Sequence, residues 1–267
     1  MKDIRIAAIT FEAPVGEIDD NLERTVHWAL KARRAGARLV CFPELNITGY
    51  CNRPQMEAIA QTISGPVVGE LSDLAKSENI TILAGMAEKR PQGRPYASHC
   101  VFSPDGQVAT YRKVHIAPPE KETFSAGEDV PVFTVDGVTF GIQLCFDAHF
   151  PELSAAMTAK GAEVIFFPHA SPRGNPEEKH VSWLRHLTAR AFDNSIFVVA
   201  CNQIGENCNG LEFPGNAMVI APSGEVIAKD ISPRPSMLVV DLAAEALDAV
   251  RGHPMKHFFP HRRPELY

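Results

Sequence analysis

No stretch of this chain approaches the ~20 consecutive apolar residues that a membrane-spanning helix needs. Basic runs are scarce as well. The net charge is −6, and Arg262-Arg263, the nearest thing to a cationic cluster, is too short for a nucleic-acid face. Residues Met1 to Ile6 lack the cationic and then apolar order of a secretory signal, which points to a cytoplasmic protein. Six cysteines (41, 51, 100, 145, 201 and 208) in 267 residues are too few for a disulfide scaffold. Most sit in apolar runs, where a free thiol packs as a small hydrophobe in a reducing compartment. Metal-ligand spacing is missing too. Cys201 and Cys208 are too far apart for a zinc pair, and His180 and His186 are six apart rather than the four that share a helix face. No metal and no cofactor are expected.

What is present is ample core material, with 45% hydrophobic and 22% charged residues. No linker-like tract divides the chain, so one α/β domain over residues 1–267 is expected. Ile4 to Phe11 reads as a strand, followed by a helix capped at Asp19 or Asp20 and closed by Gly36. Leu39 to Pro43, Ile80 to Met86, His99 to Phe102 and Val108 to Ile116 read as strands. Helices are expected near Gln55–Thr62 and Val68–Lys76. The second half repeats the rhythm. Strands are expected at Phe140–Cys145, Val164–Phe167 and Phe197–Cys201. Between them come a helix from Ser154 to Lys160 and one from Val181 to Phe192, whose apolar stripe is Val181, Leu184, Thr188, Ala191 and Phe192. Gly36-Ala37-Arg38-Leu39-Val40-Cys41-Phe42-Pro43-Glu44 also aligns with Gly161-Ala162-Glu163-Val164-Ile165-Phe166-Phe167-Pro168-His169, which suggests a duplicated plan.

Three of these strands end in a reactive or charged side chain: Glu44, Lys113 and Cys145. A thiol at a strand-to-helix junction lies near the free N–H groups that open the helix, and these favour its thiolate. A carboxylate, an ammonium and a thiol together suit covalent catalysis. Glu44, desolvated, takes the proton of Cys145. The thiolate attacks a carbonyl carbon, and Lys113 with the backbone N–H of Phe146 holds the oxyanion. His169, by the internal repeat, ends a strand as Glu44 does and is a candidate for the same cleft. Arg173 in Ser171-Pro172-Arg173-Gly174 is a candidate to hold a substrate carboxylate.

Phe42-Pro43-Glu44-Leu45 with Gly49-Tyr50, Tyr111-Arg112-Lys113-Val114-His115, and Cys145-Phe146-Asp147 with Phe150-Pro151-Glu152 together resemble the nitrilase superfamily, the carbon–nitrogen hydrolases. Phe124-Ser125-Ala126-Gly127-Glu128-Asp129, Arg190-Ala191 with Asn194, and the closing Arg263-Pro264-Glu265-Leu266-Tyr267 extend the likeness almost end to end. The resemblance implies a four-layer α-β-β-α sandwich whose protomers pair, with residues 254–267 forming a tail that docks on a partner protomer. It implies a Glu-Lys-Cys triad of Glu44, Lys113 and Cys145. Glu120 matches a second glutamate of the family that orients Lys113 or the substrate; Glu122 and Glu128 are its rivals from the residues alone. Many members carry arginine where this chain has His149, so the substrate contact at that position does not carry over directly.

Nitrile-acting members commonly place Trp-Glu after the cysteine. Phe146-Asp147 instead resembles the amidase and carbamoylase branches. The expected partner is therefore a small amide or carbamoyl compound, with nitrile hydrolysis and a non-catalytic scaffold as alternatives. A cysteine phosphatase would need arginine six positions after its cysteine, where this chain has Pro151.

Overall fold

The computed structural model describes residues 1–266; Tyr267, the last residue of the closing motif, lies outside them. The first half of the chain runs β1 (Ile4–Thr10), α1 (Ile18–Arg34), β2 (Leu39–Cys41), α2 (Met56–Ile59), α3 (Pro66–Glu78), β3 (Thr81–Glu88), β4 (Tyr96–Phe102) and β5 (Val108–Arg112). The second half begins with β6 (Phe133–Val135), β7 (Val138–Ile142), α4 (Pro151–Ala159), β8 (Val164–His169), α5 (Pro176–Asn194) and β9 (Phe197–Asn202). It continues with the ribbon of β10 (Ile204–Glu206) and β11 (Glu212–Pro214), then β12 (Ala217–Ile220), β13 (Val226–Asp230), β14 (Ser236–Leu242) and α6 (Ala244–Arg251).

Two six-stranded sheets result, with orders β14-β1-β2-β3-β4-β5 and β13-β12-β9-β8-β7-β6. In each, three parallel strands are linked by crossover helices, β1-β2-β3 in one sheet and β7-β8-β9 in the other. An antiparallel strand closes one side (β14 or β6) and an antiparallel pair the other (β4-β5 or β12-β13). The two halves therefore share one plan, and β2 occupies the place that β8 holds in the partner sheet. Their shared Phe-Pro sequence reflects this equivalence.

Strand alternation sorts the core into layers. Along β1, Ala7 and Ile9 face a cluster with Leu22 and Ala29 of α1 and Leu71 and Ala75 of α3. Ile6 and Ala8 point the other way, into a cluster shared with Phe140, Ile142 and Val199 of the second sheet. Helices α4 and α5 cover the far side of that sheet through Leu153, Met157, Trp183 and Leu187. The order is thus helix, sheet, sheet, helix. The sheets touch closely enough that the Sγ atoms of Cys41 on β2 and Cys201 on β9 lie 4.0 Å apart. No helix of the described residues is long and apolar enough to cross a membrane.

Three sequence expectations are corrected. Helix α1 starts at Ile18 after Glu17, without a side-chain cap. Asp19 and Asp20 lie inside its first turn, where their charge suits the helix dipole. The segment at 55–62 shortens to the single turn α2. On α5 the buried stripe is Lys179, Trp183, Leu187, Arg190, Ala191 and Asn194, whereas Val181 and Phe192 are exposed. Residues 254–266 are mostly exposed, with Phe258 against Phe192 of α5 at a ring separation of 5.4 Å.

The loop after β2 is docked on β3 at Gly85. Gly85 N–H donates to Asn46 Oδ1 at 2.7 Å, and Ile47 N–H donates to the Gly85 carbonyl at 2.9 Å. A Cβ at Gly85 would stand 2.6 Å from the backbone nitrogen of Leu45. Gly85→Ala is expected to destabilise the protein by about 1–3 kcal/mol through this overlap, measured as a lower urea midpoint.

Candidate active site

Three charges meet in the interior at the ends of β2 and β5. Lys113 Nζ donates to Glu44 Oε1 at 2.8 Å and to Glu120 Oε1 and Oε2 at 3.1 and 2.9 Å. All three side chains are buried. One ammonium between two carboxylates leaves further acceptor capacity, and the fold fills it. Glu44 Oε2 accepts the N–H of Ala170, and Glu120 accepts the Tyr50 hydroxyl at 2.7 Å and the Ala117 N–H at 3.1 Å. Gln203 donates to the Glu44 carbonyl at 2.8 Å, fixing the loop that carries the carboxylate. Burial pushes the Glu44 carboxyl up to about 7; Lys113 opposes that rise and the charge of Glu120 adds to it. For Lys113, burial pulls downward, but the attraction of Glu44 and Glu120 outweighs it, so the ammonium is held charged.

Cys145 begins a short 3-10 turn, Cys145–His149, that leads into α4. Its φ of 40° lies in the left-handed region, which costs a non-glycine residue energy and marks a conformation held by its surroundings. Asp147 supplies the hold. This buried carboxylate accepts the Tyr111 hydroxyl at 2.7 Å and the Leu144 N–H at 3.0 Å on one oxygen. On the other it accepts the His115 N–H at 2.8 Å and His115 Nδ1 at 2.9 Å. Tyr111 and His115 flank Lys113, so Asp147 ties the turn bearing the thiol to the segment bearing the ammonium. The helix start favours the thiolate, but it is outweighed here. Burial raises its pKa, Glu44 raises it further, and Lys113 only partly offsets them.

Cys145 opens onto a cleft of about 750 Å³. Its wall includes Tyr50, Glu120, Phe146, His149, Ser171 and Arg173, with the tip of the β10–β11 ribbon on one side. Glu44 and Lys113 stand directly behind this wall. Of the sequence candidates, Phe146, His149 and Arg173 are therefore at the cleft. His169 is not in its wall: the ring is buried against Trp183, centroids 4.5 Å apart, with Nδ1 donating to the Phe167 carbonyl. It is the next residue, Ala170, that reaches the site, through its backbone N–H. Among the rival glutamates, Glu122 and Glu128 are exposed, and only Glu120 contacts Lys113.

Against this geometry, the family model for carbon–nitrogen hydrolases matches residues 5–251. The chain belongs to the carbon–nitrogen hydrolase family. Among its relatives, it is 30% identical to an (R)-stereoselective amidase of Pseudomonas over 84% of this chain and 80% of that protein. It is 31% identical to the 2-oxoglutaramate amidase of Bacillus subtilis, over 84% of this chain and 85% of that one, and 30% identical to a nitrilase of Pyrococcus abyssi, over 99% of both. An amidase of Nesterenkonia superposes with a TM-score of 0.84 at 26% identity, covering 98% of this chain and 94% of that one. A variant of that amidase carries the acetamide moiety of fluoroacetamide added covalently at its active site cysteine.

Sequence reasoning did not single out Tyr50, Asp147 and Gln203, nor Lys179, whose Nζ donates to Ser171 of the cleft wall. Tyr50 and Asp147 lie inside recognised motifs, but their partners are 70 and 36 residues away. Lys179 shares the buried stripe of α5 with Trp183 and Leu187, at four-residue spacing, and choosing that stripe would have flagged it. Asp147→Ala leaves four donors without their acceptor, two of them, the Tyr111 O–H and the Leu144 N–H, in the interior. It is expected to cost about 2–4 kcal/mol of stability and to loosen the cysteine turn, read out by chemical denaturation.

Proposed function

We propose that this chain hydrolyses a small linear amide or N-carbamoyl compound through a thioester on Cys145. The observation that carries the reading is the buried Glu44–Lys113–Glu120 cluster directly behind the cleft onto which Cys145 opens. An amide is a weak electrophile and a thiol a weak nucleophile, so each needs a partner. Glu44 takes the Sγ proton as sulfur attacks the carbonyl carbon. Of the two carboxylates it acts more strongly on Cys145, and its raised pKa suits proton transfer near neutrality. The resulting oxyanion is held by Lys113 Nζ and the N–H of Phe146. Glu44 returns the proton to the departing nitrogen as the C–N bond breaks, releasing ammonia or amine. Water, deprotonated by Glu44, then cleaves the thioester and restores the thiol. Glu120 fixes Lys113 through two hydrogen bonds and is itself fixed by Tyr50, while His149 and Arg173 stand where the rest of the substrate lies.

The amidase and 2-oxoglutaramate amidase relatives support an amide substrate, and the nitrilase relative makes nitriles the competing class. Ammonia release is to be measured from amides, half-amides of dicarboxylic acids, N-carbamoyl compounds and nitriles. Release from an amide or carbamoyl compound, lost in Cys145→Ala, is the expected result; release from nitriles alone would overturn it. The base must be ionised, so kcat/KM falls as pH drops below about 7. Glu44→Gln costs on the order of 10²–10⁴-fold and removes that limb of the profile.

We also place the enzyme in the cytoplasm, in keeping with its free cysteines, and as a homodimer or higher homo-oligomer whose 254–266 tail, exposing Met255, Phe258 and Leu266, docks on a second copy. Sedimentation of the chain shortened after Arg251 is expected to show loss of assembly; an unchanged oligomer would remove the tail from the interface.

A further inference from the structure

The wall of the cleft formed by the segment after β8 is cationic. Lys179, in the first turns of α5, is 6% exposed, and its Nζ donates to Ser171 Oγ at 2.6 Å. No carboxylate lies within ion-pair distance of it among the described residues. A buried ammonium without a counter-ion is costly, and such groups are retained where something else supplies the charge. Burial lowers its pKa, the charge of a Cys145 thiolate opposes that, and the Arg173 guanidinium nearby lowers it further. Arg173 lines the cleft on the same segment, one proline beyond Ser171. The carboxylates in the wall are Glu120, engaged by Lys113, and Glu212, exposed on β11.

Ser171 is held in place on its main chain. Its N–H donates to Asn202 Oδ1 at 2.9 Å, and its carbonyl accepts Asn202 Nδ2 at 3.1 Å. Since Ser171 Oγ accepts from Lys179, its own O–H remains to donate, and Ser171 lines the cleft. The wall therefore offers a hydroxyl donor backed by a buried positive charge, with a guanidinium beside it.

We propose that Ser171 and Arg173, with Lys179 as the positioning residue behind Ser171, form a subsite for a carboxylate on the substrate, so that the hydrolysed amide or carbamoyl compound is an anion. This rests on the hydrolase reading and adds the substrate class to it. The carboxylate accepts from the Ser171 hydroxyl and the Arg173 guanidinium, and its charge answers that of Lys179.

The test compares matched pairs that differ only in the distal charge: succinamate with succinamide, and N-carbamoylglycine with its methyl ester. The wild-type enzyme is expected to favour the anion of one pair by on the order of 10–100-fold in kcat/KM, mainly through KM, and that pair names the source of the carboxylate. In Lys179→Met the preference collapses toward unity; a merely structural lysine would lower both members alike. Equal rates on both members in wild type, or a preference that survives Lys179→Met, would overturn the subsite and leave the hydrolase reading standing. A second measurement needs no variant and no turnover: alkylation of wild-type Cys145 by iodoacetamide, followed by peptide mapping. Succinate is expected to slow it at least several-fold where butanediol does not; equal protection by both, or by neither, would refute the subsite. If no compound of either pair is hydrolysed, the hydrolase reading is left to the wider panel above and this protection assay still decides the subsite.

Discussion

Everything at this site depends on one lysine held in the protein interior between two carboxylates. The side chains of Lys113, Glu44 and Glu120 are all buried, Glu120 at the cleft wall. Bringing three charges out of water costs several kcal/mol for each, and their mutual attraction offsets that only when the geometry is tight and the leftover acceptors are filled. The backbone N–H groups of Ala117 and Ala170 and the hydroxyl of Tyr50 fill them. These donors come from three separate loops. The cluster therefore specifies how those loops sit, and the loops keep it charged and dry. The same burial moves Glu44 toward neutrality in its affinity for a proton and keeps the nearby thiol protonated at rest. In the proposed mechanism Glu44 and Cys145 are thus an acid–base pair waiting for an electrophile rather than a standing thiolate.

Neither half of the sandwich holds this arrangement alone. The first sheet supplies Glu44, Lys113 and Glu120, and the second supplies Cys145 and the segment from Ala170 to Lys179. Asp147 fastens one to the other. Three of its four hydrogen bonds cross from the cysteine turn to Tyr111 and His115, on either side of Lys113, and the fourth braces the turn itself, so the thiol and the ammonium are located relative to each other by a single carboxylate that touches neither.

Much of this was legible in the sequence because it is written at strand ends. Glu44 and Cys145 each follow an apolar run, where a reactive side chain stands out against its neighbours, and Lys113 comes at the end of β5, just past Arg112. The Phe-Pro repeat marked β2 and β8 as equivalents, as the topology bears out. The repeat misled at its last residue, since His169 turns into the core while the backbone of Ala170 does the work at the site. Helix α5 was misread for a related reason. Val181, Leu184 and Phe192 form a plausible apolar face, and the true buried face carries Lys179, Arg190 and Asn194, polar groups that are inside because Ser171, the Ala148 carbonyl and the backbone of the preceding turn receive their hydrogen bonds. Hydrophobic periodicity is blind to that. The family resemblance alone picks Glu120 over Glu122 and Glu128, and its contact with Lys113 agrees.

The contact between Cys41 and Cys201 gives the sandwich a gauge. These two small side chains meet between the sheets, one just before the loop of Glu44 and the other just before Gln203, whose amide holds that loop. Because Glu44, the proposed base, and Cys145 ride on opposite sheets, the thickness of the core between them sets the reach of one for the other. Any bulk added at this seam acts as a shim. It spreads the layers and detunes the chemistry without touching a single reacting atom.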